Sequence, residues 1–168
     1  MTRVVKWASA IGYLMLACVF VLLSGHSLYA QSEQSSPRGS LAGAWWVNVT
    51  LYNCKTGAKN PPFASLLAFA RGGTMSETTA NPAFQPGQRT SGYGTWSHAS
   101  GGSYESTDEA FILFTGGPFT QGTQKINHSI TVADDGDHFN DDATVRFLDI
   151  HGKLLGSGCA RAVGTRLQ

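Results

Sequence analysis

The clearest pattern in the chain is an alternation of apolar and polar positions over residues 41–54, LAGAWWVNVTLYNC. Trp45 and Val47 fall on one face of an extended strand, and Asn48 and Thr50 fall on the other. A wholly apolar face opposite a mixed one is typical of a strand that lines a core on one side and meets solvent on the other. The pattern therefore predicts a β-strand whose Trp45 face is buried.

Further segments that alternate or are rich in β-forming residues follow, separated by runs rich in Gly, Pro, Asn and Asp. The predicted strands cover residues 63–71, 74–79, 91–98, 104–115, 124–133, 143–150 and 153–166. The segment 63–71 also fits a short helix, and a strand is favoured because the segment is short and ends at Gly72 and Gly73. The second half of 104–115 is continuously apolar, which predicts burial on both of its faces.

About eight strands with short connections, and no long helical pattern after residue 30, predict an all-β domain. An open sheet of this size would expose two edges to other chains, and closing the sheet removes them. The predicted fold is therefore a closed antiparallel up-and-down barrel. Gly92 and Gly94 predict a bend or a bulge of the kind that barrels use at their corners.

Residues 1–30 have the features of a secretory signal. Arg3 and Lys6 form a basic start, and an uncharged apolar run extends over residues 7–23. We therefore predict a cleaved signal peptide and a periplasmic or secreted protein. An uncleaved N-terminal membrane anchor is the alternative, because Leu28 stands where a cleavage site usually has a small residue.

The rest of the chain is predicted to hold a disordered leader at 31–40, rich in Ser and Gln, and one barrel domain at 41–168. Without Arg3 and Lys6 the chain has 10 basic and 11 acidic residues, hence a net charge of −1. Neither sign forms a long run. We therefore predict no nucleic-acid partner and no insertion of the mature domain into a membrane.

Two cysteines follow the predicted signal, Cys54 and Cys159. In an exported protein such a pair is most simply a disulfide, with two separate thiols as the alternative. Closing a loop of about 100 residues stabilises by roughly 4–5 kcal/mol in the chain-entropy model. The bond needs Cα atoms within about 7 Å, so the first and last strands are predicted to be neighbours. Neither cysteine has a second cysteine or a histidine at ligand spacing, and no metal site is predicted.

Gly43-Ala44-Trp45, at the start of the first predicted strand, resembles the G-x-W signature of the lipocalins and the wider calycin group. In that family the tryptophan closes one end of the barrel, and an arginine near the end of the last strand packs over its ring. The resemblance implies this role for Arg166. A guanidinium stacked on an indole stabilises by about 1 kcal/mol. As a whole the chain is similar to small exported lipocalin-like proteins of bacteria.

The sequence contains no nucleophile elbow, zinc-protease motif, P-loop or dinucleotide-binding fingerprint, so no catalytic residue and no cofactor are predicted. His128 alternates with Ile126 and Ile130, which predicts an inward orientation. Two interpretations of His128 are open: a hydrogen-bonded structural residue, which is favoured, or a haem ligand, metal ligand or general base.

A cluster of acidic residues surrounds Gly136, and its spacing does not follow the calcium-loop pattern. Its members are Asp134, Asp135, Asp137, Asp141 and Asp142. Asp and Gly are also what a tight hairpin prefers, so the cluster is predicted to form a turn.

Aromatic side chains give the best indication of function, because an eight-stranded barrel is wide enough either to be filled or to hold one small ligand. The predicted ligand-binding residues are Trp45, Phe69, Trp96, Phe111, Phe114 and Phe147. The leading hypothesis is a non-enzymatic barrel that binds a small apolar or amphipathic molecule. One alternative is a cyclase or isomerase on the same barrel, which resembles the allene oxide cyclase group and would use Glu105, Glu109 or His128. Another is a structural or interaction module with a solid interior.

Overall fold

Eight antiparallel strands form a closed barrel in the computed structural model of the protein, which describes residues 39–114 and 120–168. The strands are β1 (Gly43–Tyr52), β2 (Phe63–Phe69), β3 (Thr74–Thr79), β4 (Gly92–Ser100), β5 (Ser103–Phe114), β6 (Thr120–Val132), β7 (His138–Asp149) and β8 (Leu154–Arg166). Each strand pairs with the next along the chain, and β8 pairs with β1. The predicted fold class is confirmed. The predicted signal at 1–30 and most of the predicted leader lie outside the described residues.

The β1–β8 pairing closes the barrel and carries a covalent bond at one extremity. Trp45 is opposite Arg166 at one end of this pairing, and Tyr52 is opposite Cys159 at the other. Cys54 and Cys159 form a disulfide with their Cα atoms 5.4 Å apart. The predicted bond and the predicted proximity of the first and last strands are both present. We call the two ends of the barrel the closed end, at Trp45, and the disulfide end.

Arg166 covers Trp45 at the closed end. Its guanidinium carbon lies 4.1 Å from the centroid of the indole ring, which is itself fully buried. The guanidinium donates hydrogen bonds to the backbone carbonyls of Ser40, Ala42 and Gly136 at 2.6 to 2.9 Å. These contacts tie both ends of the domain to one hairpin turn.

Gly43 explains why the residue before Ala44 has to be small. Its φ of 139° lies in the region that favours glycine, and the space that a β-carbon would occupy is 2.5 Å from Nη1 of Arg166. A side chain at this position would push the guanidinium off the Trp45 ring. The G-x-W pattern therefore has a local steric cause in this chain.

The prediction that the second half of β5 is buried on both faces is wrong. Ile112 points inward and is 1% exposed, whereas Phe111 points outward and is 60% exposed. A barrel has a single interior, so consecutive residues of one strand are not buried together unless another layer covers the outside.

The glycines of β4 do not form the predicted bulge. The register shift in this strand lies between His98 and Ser100, and Gly92 and Gly94 are in regular pairing with β3. A β-carbon at Gly94 would collide with the backbone of Thr107 on β5. These glycines therefore allow close approach rather than a bend. Within 39–114 and 120–168 no helix is long and apolar enough to cross a membrane.

Candidate ligand-binding site

The closed end of the barrel is filled by side chains. Its buried cluster consists of Leu41, Trp45, Val47, Leu67, Phe69, Met75, Tyr104, Ile130, Val132, Phe139 and Ala162. The rings of Trp45 and Phe139 meet edge to face with centroids 4.9 Å apart. Trp96 packs against the cluster and donates from Nε1 to the carbonyl of Ala70 at 2.8 Å. A ligand would have to occupy the other half of the interior.

A small cavity of about 40 Å³ lies deeper in the barrel than the disulfide. One wall is apolar and is formed by Val47, Val49, Ala143, Val145, Ala160 and Ala162. The polar part of the lining, which we call the polar wall, is formed by Ser65, Glu77, Thr79, Gln124, His128 and Asp141, with the apolar residues Leu67 and Ile126 among them. A water molecule needs roughly 10–15 Å³ measured in this way, so the space matches about three waters. We call it the inner cavity.

A larger cavity of about 780 Å³ lies at the disulfide end, between the β1–β2 loop and the strands β7 and β8. Phe147, Gly158 and the disulfide itself line it. The two cavities share the lining residues Leu51, Asn81, Phe84, Gln124 and Val145. The inner cavity is therefore the inward continuation of the larger one, which we call the outer cavity.

His128 is held between two aspartates at the polar wall. Its Nδ1 lies 2.7 Å from Oδ2 of Asp141 on β7, and its Nε2 lies 3.0 Å from Oδ1 of Asp108 on β5. Burial lowers the pKa of His128, but the hydrogen bonds and charges of the two aspartates outweigh it and raise the pKa to about 10. The ring is therefore an imidazolium at neutral pH, and both nitrogens donate to carboxylates. It has no lone pair for a metal, a haem iron or a proton.

Arg89 reaches into the barrel from the loop between β3 and β4. Its Nη2 lies 2.5 Å from Oε2 of Glu77, and its Nε donates to Oε1 of Gln124 at 2.5 Å. Burial raises the pKa of Glu77, Arg89 opposes that rise, and the charge of Asp108 adds to it. Gly92 lets Asp108 and Glu77 converge, because both carboxylates border the space that a side chain at position 92 would fill.

The buried polar cluster contains two carboxylate oxygens and one hydroxyl that are unpaired within the part of the chain that the structure describes. Oδ1 of Asp141, Oδ2 of Asp108 and Oγ of Ser106 are buried and have no hydrogen-bond partner among the described residues. The three carboxylates of Glu77, Asp108 and Asp141 face only two cations, Arg89 and His128. The cluster therefore has a surplus of one negative charge when all five groups are ionised.

The structure separates the six predicted ligand-binding residues. Trp45 and Phe69 are buried at the closed end, and Trp96 is half-buried against them. Phe147 lines the outer cavity. Phe111 lies on the outer face and does not line the interior. The side chain of Phe114 lies outside the described residues.

The catalytic candidates of the enzyme alternative do not meet in one place. Glu105 is exposed on the outer face, where its carboxylate accepts a hydrogen bond from Ser129 at 3.1 Å. Glu109 is also exposed, and only His128 borders the inner cavity. No group of three side chains suited to hold a metal ion occurs within the described ranges.

Sequence reasoning missed the polar cluster. Asp108 and Asp141 occupy inward positions in the alternation of β5 and β7. An acidic residue on an otherwise apolar face is the sequence feature that could have indicated a buried polar cluster. The acidic cluster around Gly136 is accordingly divided. Asp135 accepts hydrogen bonds within the predicted turn, whereas Asp141 and Asp142 lie in β7 and point to opposite sides.

Together these features define a closed eight-stranded antiparallel barrel. Side chains fill its closed end, and a cavity lined by apolar and polar residues lies towards the disulfide end. This fold is compatible with the calycin type. No protein-family model and no curated protein matches the chain.

Proposed function

We propose that this protein is an exported, lipocalin-like binding protein that takes a small amphipathic molecule into the disulfide end of its barrel. The observation that carries the proposal is the pair of adjoining cavities, whose lining is mostly apolar with a few polar side chains in the inner one. Small-molecule sites typically combine mostly apolar lining with a few convergent polar groups. The apolar part of the ligand would contact Leu51, Phe84 and Val145, and its polar group would face Gln124 and the residues below it.

The size of the outer cavity, at the mouth of the barrel, supports the binding of a small molecule there. Its volume of about 780 Å³ lies inside the range of roughly 300–1,000 Å³ that is usual for ligand pockets. The binding interpretation is also favoured over catalysis, because His128 retains its proton and Glu105 and Glu109 face outward. Export is supported by the disulfide, since such bonds persist in oxidising compartments.

Two matched glycine substitutions test the proposal. Gly158 lines the outer cavity, and a β-carbon there meets nothing within 4 Å, so Gly158→Phe would fill the cavity without a clash at the backbone. Gly72, in the β2–β3 turn, has equally open surroundings and lies at the closed end. We expect the neutral dye N-phenyl-1-naphthylamine to bind the wild type and Gly72→Phe equally. We expect at least tenfold weaker binding to Gly158→Phe in a fluorescence titration.

Circular dichroism and thermal melting of each variant establish that it is folded. Equal binding by Gly158→Phe and Gly72→Phe would place the dye elsewhere and contradict the proposal. An absence of binding to the wild type would favour the solid-core module instead.

A further inference from the structure

We infer that the polar group of the ligand is a primary ammonium, which enters the inner cavity and donates a hydrogen bond to the carboxylate of Asp141. This inference rests on the proposed function and specifies its ligand class. The exposed apolar side chains Trp46, Leu66 and Val163 on the outer face border nothing that identifies a partner.

Asp141 is the proposed acceptor of the ammonium. Its side chain is only 3% exposed, and it lines the cavity. One carboxylate oxygen binds His128, and the other, Oδ1, has no hydrogen-bond partner among the described residues. A buried carboxylate oxygen without a donor is strongly unfavourable, so this position favours a ligand that brings an N–H group.

The two cations of the polar cluster are already engaged, which selects against an anionic ligand. The guanidinium of Arg89 is bound to Glu77 and Gln124, and both ring nitrogens of His128 face aspartates. A carboxylate or phosphate group would find no free cation here and would add a second negative charge to the existing surplus. An ammonium would neutralise that surplus.

The pKa of Glu77 is raised above its ordinary value. Burial is the largest cause, and the neighbouring charge of Asp108 contributes, while Arg89 and His128 act in the opposite direction. A cation in the inner cavity would act on Glu77 in the same direction as Arg89 and His128, and would lower its pKa.

The dimensions of the two cavities suit an alkylamine. An ammonium group is about as large as a water molecule, and the inner cavity matches about three waters. The apolar wall runs from Val47 through Val49 to Leu51 on β1 and continues across β8 to Ala143 and Val145 on β7. An alkyl chain lying along this wall would extend into the outer cavity.

A head-group series tests the inference in the wild-type protein. Octylamine, 1-octanol and octanoate share one tail length and differ in the polar group. At neutral pH, isothermal titration calorimetry is expected to give octylammonium at least tenfold tighter binding than octanol, and no measurable binding of octanoate. Equal binding of octylammonium and octanol, or tighter binding of octanoate, would overturn the inference and leave amphipathic binding intact. If none of the three binds while the naphthylamine dye does, the inference also fails and the proposed function survives.

Two adjacent aspartates provide matched variants. Asp141 points into the barrel, whereas Asp142 points outward, is 70% exposed and pairs with Arg161. Asp141→Asn is expected to lower octylammonium affinity at least tenfold, to near that of octanol, because the amide keeps the size but removes the charge. Asp142→Asn is expected to bind like the wild type. Equal affinities in folded Asp141→Asn and Asp142→Asn proteins would overturn the inference, and if Asp141→Asn does not fold, the wild-type series decides.

Discussion

At the scale of single residues, the interior of this barrel depends on the proton that His128 carries. The imidazolium is within 3.0 Å of one aspartate and 2.7 Å of another, and it is the shared counter-ion of both. Removing one partner from a buried ion pair leaves an uncompensated charge and typically costs about 3–5 kcal/mol. Loss of the proton would have the same consequence for Asp108 and Asp141.

The pH dependence of stability follows from this arrangement. The pKa of His128 is about 10 in the folded protein, above the ordinary value of 6.5. Its contribution to stability is therefore fully present below pH 6.5, declines above that value and is lost as the pH passes about 10. Urea unfolding of the wild type between pH 6.5 and 10 is expected to show this loss, and His128→Gln is expected to lack it.

His138 provides the control for that experiment. It also faces an aspartate, Asp135 at 2.7 Å, but both side chains are more than half exposed. His138→Gln is expected to retain the wild-type slope of unfolding free energy against pH. A wild-type slope no steeper than that of His128→Gln would contradict the assignment of the proton.

At the scale of elements, strand positions could be read from the sequence because alternation is a local property. Alternation, segment length and β-propensity together located the eight strands, although β6 begins about four residues and β7 about five residues before the predicted start, which left Asp141 outside its strand. The sequence pattern did not predict that Arg89 points into the barrel, because this residue lies in a loop, and a loop has no periodicity from which the orientation of a side chain could be inferred. It also did not identify the partners of His128, since Asp108 and Asp141 lie on other strands and meet the ring only after closure.

The last strand, β8, shows how glycines at inward positions differ in role. Gly164 lies at the closed end, and the ring of Phe139 occupies the space that a β-carbon would need. Gly156 lies near the disulfide end and has no atom within 4 Å of that position. Gly164→Ala is expected to destabilise by about 1–3 kcal/mol through overpacking. Gly156→Ala is expected to be neutral or to stabilise by up to about 1 kcal/mol.

Urea denaturation of both variants measures the difference. Similar unfolding free energies for the two proteins would show that the Phe139 ring yields freely, contrary to the tight packing described for the closed end.

At the scale of the whole molecule, the barrel is fastened at both extremities of the β1–β8 pairing. The Cys54–Cys159 bond lies at one extremity, and the Trp45–Arg166 stack lies at the other. This closure was predictable because the disulfide and the Trp45–Arg166 stack both involve recognisable residues near the ends of the domain. Whether the space between them is filled or hollow was not predictable, since it depends on how side chains from every strand meet in the interior.

The stack and its hydrogen bonds should contribute measurably to global stability. Arg166 is 19% exposed and uses a planar fork that a lysine cannot reproduce, so Arg166→Lys is expected to destabilise by about 2–3 kcal/mol. Arg161, on the same strand, is 68% exposed and makes a surface ion pair. Arg161→Lys is expected to change stability by less than about 1 kcal/mol. Chemical denaturation of both variants, with the disulfide intact, compares them, and equal effects would contradict a closing role for Arg166.

The contacts of Arg166 also determine at which end of the barrel a tag or linker can be joined to the domain. Ser40 binds its guanidinium, and the amide of Leu167 donates to the carbonyl of Ala44 at 2.9 Å, so both termini of the barrel emerge side by side. They emerge at the closed end, opposite the disulfide end. A tag, a linker or a solid support joined at Gly39 or at Gln168 would therefore leave the mouth of the cavities unobstructed.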